Sequence, residues 1–138
     1  MPVFETRVHK KDKITRKPVL EILKDGKPFW EDFPWAKKHF RFGVEKALTL
    51  MTAFPVIEEF YNHDGREPNT PDPIKLKSSR YCPMCRIRRY NGFTRKGRFI
   101  NRPYLEITGY DTIRFGLLKA IAIIENREVI EDFIFKFG

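Results

Sequence analysis

Apolar positions fall into two long helical stripes and several short runs. Val44, Ala47, Leu48, Met51 and either Phe54 or Pro55 recur at i, i+3, i+4, i+7 spacing. They predict an amphipathic helix that starts near Phe40–Phe42 and ends near Tyr61. Pro55 lies inside it and predicts a kink or break. Leu117, Ala120, Ile121, Ile124, Ile130, Phe133 and Phe137 repeat the pattern and predict a final helix over about 112–136, with Asp111 or Thr112 as N-cap. The short runs alternate. Residues 3–9 (VFETRVH) and 18–23 (PVLEIL) predict strands, joined by a basic loop at 10–17. Asp25-Gly26 is a hairpin signal, with Phe29 and Trp30 opening the returning strand. In residues 86–101 (RIRRYNGFTRKGRFIN), Asn91-Gly92 and Lys96-Gly97 are both turn signals, and a hairpin or meander follows.

The two helical stripes are copies of one another. Residues 41–60 and 114–133 align without a gap, and nine of the twenty positions are identical, among them Arg41/Arg114, Phe42/Phe115, Gly43/Gly116, Lys46/Lys119 and Ala47/Ala120. This density of identity marks a tandem duplication. The parallel continues upstream, where Lys17-Pro18-Val19-Leu20-Glu21-Ile22 matches Arg102-Pro103-Tyr104-Leu105-Glu106-Ile107. The second copy then reaches its Arg-Phe-Gly twelve residues sooner, because it lacks the aromatic segment Phe29, Trp30, Phe33, Trp35. Each copy reads as strands followed by one long helix, so the fold class is α+β in two tandem repeats. The first repeat spans 1–61 and the second 80–138. The proline-rich stretch 62–79 is the linker.

A chain of 138 residues, 41% hydrophobic, can bury a core, but half of it would be marginal alone; two copies packed on each other resolve that. The net charge of +9 points to a polyanionic partner, nucleic acid ahead of a membrane surface. The charge is concentrated. Residues 75–102 hold ten basic residues and no acid, and residues 7–17 hold six against one aspartate. The acids crowd the helices, as in Glu58, Glu59, Glu131 and Asp132. The strand halves are therefore the phosphate-facing side. The alternative for any charge run is a merely solvated face. Aromatics interleave with these charges: Tyr81, Tyr90, Phe93, Phe99 and Tyr104, and in the first copy Phe29, Trp30 and Trp35. Such residues stack on the bases of a single strand, whose π faces a duplex hides. Several must be core instead; Tyr90 and Phe93, flanking an expected turn, are the exposed choice. The binding set read from the sequence is Lys10, Lys11, Lys13, Arg16, Lys17, Arg86, Arg88, Arg89, Tyr90, Phe93, Arg95, Lys96 and Arg98.

Cys82-Pro83-Met84-Cys85 is a C-x-x-C knuckle able to supply half of a tetrahedral zinc site; the second pair is missing, so zinc, a redox pair and a reduced structural pair all stay open. No phosphate-binding glycine loop, H-E-x-x-H or nucleophile elbow occurs, and a non-enzymatic protein is expected. No apolar run spans a bilayer and no signal peptide is seen, which places the protein in the cytoplasm of a bacterium or a phage-infected cell.

A strand-rich half followed by a helix, twice, on a basic chain resembles the positive-cofactor-four/Whirly type of single-stranded DNA-binding fold. The resemblance is carried by Phe42-Gly43-Val44-Glu45-Lys46-Ala47 and by Phe115-Gly116-Leu117-Leu118-Lys119-Ala120-Ile121-Ala122-Ile123-Ile124-Glu125. It implies a curved four-stranded antiparallel sheet plus helix in each unit. It further implies units paired through their helices as a pseudo-dimer, and Lys46 and Lys119 touching the bound strand. The fused copies, the cysteine knuckle and the insert at 29–35 depart from that pattern. The expected function is single-stranded DNA or RNA binding in phage or bacterial replication, recombination or transcription. The alternative is a protein-interaction module docking on RNA polymerase or a replication component, through the knuckle and the aromatic insert. A small metal-dependent nuclease is a third reading.

Overall fold

In the computed structural model, residues 3–14, 16–65, 84–109 and 111–138 are described. The first half runs β1 (Phe4–His9), β2 (Val19–Lys24), β3 (Phe40–Phe42), α1 (Val44–Thr52) and α2 (Phe54–Asn62). The second runs β4 (Met84–Phe93), β5 (Phe99–Thr108), β6 (Thr112–Phe115), α3 (Leu117–Glu125) and α4 (Arg127–Phe137). Among the described residues each half forms a three-stranded antiparallel sheet in sequence order, one strand fewer than the resemblance implies, followed by two helices rather than one. The duplication is kept to the level of register. In the first sheet Leu20, Glu21 and Ile22 face Phe42, Arg41 and Phe40; in the second Leu105, Glu106 and Ile107 face Phe115, Arg114 and Ile113.

The long helices expected from the periodicity are each two short ones. The breaks fall at Ala53 and Asn126, equivalent positions of the two copies. Pro55 is therefore not the cause, since the second copy breaks with no proline there. Pro55 sits in the first turn of α2, where a missing N–H costs little. The break is where the packing partner changes: α1 lies on α4, and α2 on α3. Residues 40–42 and 112–115, expected to begin the helices, are strands instead. Their Phe-x-Phe and Ile-x-Phe alternation pairs with β2 and β5, and the glycine after each is extended (φ −86° at Gly43, −95° at Gly116) and starts the helix. Asp111 caps no helix; its Oδ1 accepts the Thr112 N–H at 2.8 Å.

The two halves share one core. Leu20, Ile22, Leu50, Ile57 and Phe60 meet Leu105, Ile107, Phe115, Ile123 and Ile130, all at most 1% exposed. Each such side chain contributes about 1.5–3 kcal/mol by leaving water.

Two turn expectations differ in outcome. Asp25 (φ 52°) and Gly26 (φ 77°) make the expected tight turn, but only the Lys24–Lys27 bridge follows and residues 29–35 form no strand. Asn91-Gly92 is not a turn. The β4–β5 ladder runs through it to Phe93–Phe99, and the chain reverses at Thr94–Arg98, with Gly97 at φ 80°. Gly92 serves a close approach instead: a Cβ there would lie 2.9 Å from the Tyr90 hydroxyl, which folds over the strand and donates to the Phe93 carbonyl at 2.7 Å.

Candidate nucleic-acid interface

β4 and β5 are ten residues each, while β6 pairs with only the last four of β5. The far half of the β4–β5 hairpin therefore extends past the third strand. Its basic residues Arg86, Arg88, Arg89, Arg95, Lys96, Arg98 and Arg102 are all exposed. Strand alternation divides them: Arg86 and Arg88 share the face of Tyr90, while Arg89 lies on the face of Phe93.

The aromatic insert crosses from the first half onto this hairpin. Phe33 and Trp35 stack on each other at 4.8 Å and meet the rings of Tyr90 and Tyr104. The Asp32 carboxylate lies 3.7 Å from Arg102 and 3.9 Å from Arg98, and Arg95 donates to the Pro34 carbonyl at 2.8 Å. Tyr90, expected to be a free stacking platform, is therefore half-buried beneath the insert. Phe93 is as exposed as expected, and Phe99 joins it.

Glu31 anchors the insert. Its carboxylate is buried and accepts the Gly116 N–H at 2.7 Å, with the Leu118 and Lys119 N–H groups also directed to it. It caps α3 from a distance in sequence, satisfying donors that the helix cannot satisfy itself. Lys119 lies beside it, 8% exposed, with its ammonium 5.0 Å from the Phe40 ring centroid. Burial pushes the Glu31 carboxyl up and the Lys119 ammonium down, each opposed by the charge of the other. Lys119, expected to touch a bound strand, is thus a core group. Its counterpart Lys46 is half-buried and 3.5 Å from Asp111.

Each sheet carries a carboxylate at its centre, which the sequence reading missed. Glu21 has no solvent exposure. It accepts hydrogen bonds from His39 and His9, both at 2.9 Å, and from Arg7 at 3.1 Å, with Arg41 at 3.5 Å. Burial alone would raise its pKa, but these partners outweigh it and hold the carboxyl at about 2. Glu106 is the counterpart. Arg114 at 2.8 Å and Arg88 at 3.1 Å hold its carboxyl below the ordinary range. Arg88 is thereby partly neutralised, while Arg89 leans on Asn101 at 3.0 Å.

Lys10, Lys11, Lys13, Arg16 and Lys17 are exposed on the β1–β2 connection, apart from the β4–β5 hairpin in sequence and sheet. Cys82, Tyr81 and most of the linker lie outside the described residues. Cys85 is buried in the core, which raises its thiol to about 11. Among the described residues no group of three His, Cys, Asp or Glu is arranged to hold a metal, and no helix is long and apolar enough to cross a membrane.

Compared with known proteins, the chain matches no family model, no curated protein and no solved structure.

Proposed function

We propose that this chain is a non-enzymatic single-stranded nucleic-acid-binding protein that works through the β4–β5 hairpin. The observation that carries this reading is the hairpin's charge. Seven exposed cations stand on residues 84–109 against one acid, Glu106, and no described carboxylate pairs with Arg86, Arg89, Arg95 or Lys96. Such a surface binds a polyphosphate by counter-ion release. The two repeats act as a pseudo-dimer of the positive-cofactor-four/Whirly type, a reading supported by the repeated register and by the reciprocal packing of α1 on α4 and α2 on α3. The role is replication, recombination or transcription in a bacterium or its phage.

Arg86, Arg88 and Arg89 changed together to alanine test the reading. A cation on a single-stranded phosphate contributes about 0.7 to the slope of log affinity against log salt, so the triple variant should lose between about 1 and 2 of slope. The lower figure allows for the share of Arg88 already spent on Glu106. Titrations of a labelled single strand at several salt concentrations measure it. An unchanged slope would remove those arginines from the interface.

A further inference from the structure

We propose that the end of the β4–β5 hairpin is a base-stacking site that takes two neighbouring nucleotides of a single strand, one on Phe93 and one on Phe99. This rests on the reading given under Proposed function and assigns its stacking residues. Phe93 is 63% exposed and Phe99 58%. They are the last rung of the ladder before the turn, with ring centroids 5.6 Å apart and planes at 74°. Two open phenyl faces at the end of an arm do nothing for the core. A base offers the matching apolar π surface.

The surroundings select the occupant. The turn beyond the rung carries exposed Arg95, Lys96 and Arg98, and the next rung on the same face is Asn91–Asn101, with the Arg89 guanidinium folded onto Asn101. Cations thus stand on both sides of the ring pair. An apolar protein segment would bring nothing to neutralise them, whereas a strand brings one phosphate per base. The other aromatics of the hairpin are not available for this. Tyr90 and Tyr104 are covered by Phe33 and Trp35; Trp30, off the hairpin and 45% exposed, has the Lys96 ammonium 5.8 Å from its ring centroid.

The test uses fluorescence anisotropy of the full chain with labelled oligothymidylate of about 12 nucleotides and an abasic phosphodiester of equal length. Wild type should prefer the base-bearing strand by about tenfold or more. Phe93→Ala/Phe99→Ala should lose that preference while keeping its affinity for the abasic strand and its salt slope. Phe93→Trp/Phe99→Trp should retain it, which separates lost stacking from lost folding. Equal affinity of wild type for both probes would overturn this site and leave phosphate binding standing. A double alanine variant that keeps the preference, or that weakens on both probes alike, would also overturn it. No binding of either probe by wild type would overturn the broader reading and the site with it.

Discussion

Replacing Glu31 with alanine should lower the unfolding free energy by about 3–5 kcal/mol, the cost typical of leaving a buried cation and buried helix-end donors uncompensated. The change strands several groups at once. The Gly116 N–H loses its 2.7 Å acceptor, and the Leu118 and Lys119 N–H groups of the same helix end lose the carboxylate they are directed at. The Lys119 ammonium stays buried with no carboxylate beside it. Glu31→Gln keeps an oxygen for the helix end but not the charge, so its cost should be smaller. Gly116 gives an independent check on the same contact. A Cβ there would lie 2.5 Å from Glu31 Oε2 and 2.8 Å from the Phe33 ring, while at Gly43 the nearest atom would be the Pro18 carbonyl at 3.7 Å. Gly116→Ala should therefore cost about 1–3 kcal/mol and Gly43→Ala within about 0.5 kcal/mol, although the two occupy the same repeat position. Urea unfolding midpoints decide it. Equal costs at the two glycines would mean that the insert does not press on α3.

Acid should cost stability through Glu21, which resists protonation in the folded chain. Its carboxyl is held at about 2, against an ordinary 4.5. A depressed carboxyl contributes stability that is fully present above 4.5 and lost as pH falls toward 2. The contribution at neutral pH is on the order of 3 kcal/mol. Glu21→Gln should remove that pH dependence and cost about 2 kcal/mol at neutral pH; Arg7 and His39 are about half-exposed and can return to water. The quantity to read is the difference between wild type and variant across pH 2–5 at fixed ionic strength. Glu106 contributes with the same sign and Glu31, whose carboxyl is raised, with the opposite one, so both cancel in that difference. Parallel acid titrations of the two proteins would show that His9, His39, Arg7 and Arg41 do not hold Glu21 ionised.

What the sequence made legible was whatever the duplication wrote twice. The Leu-Glu-Ile and Arg-Phe-Gly phrases mark the central strands and helix starts, and the structure pairs them in equivalent register. The α+β class and the turn at Gly97 follow from local signals of the same kind. Phe-Arg-Phe and Thr-Ile-Arg-Phe were too short to show a period of two beside a long helical stripe, so β3 and β6 read as helix. The breaks at Ala53 and Asn126 depend on which helix of the other half each segment meets, and no local residue pattern carries that. The same holds for the insert, whose Glu31 bonds to Gly116 across half the chain. Glu21 and Glu106 did leave a trace: a lone acid at the same place in two apolar strands, each copy supplying an arginine from the Arg-Phe-Gly phrase. Reading Tyr90 as exposed failed because Asn91-Gly92 looks like a turn, while Gly92 makes room for the Tyr90 hydroxyl.

The most direct measurement is fluorescence anisotropy of the wild-type chain with labelled single-stranded DNA, duplex DNA and RNA of about 30 nucleotides, at low and at physiological salt. Tight binding of a single strand, with a weaker duplex signal and a steep salt slope, is the predicted result. Equal, weak and wholly salt-labile binding to all three would contradict it and leave the positive charge of the hairpin without a specific ligand.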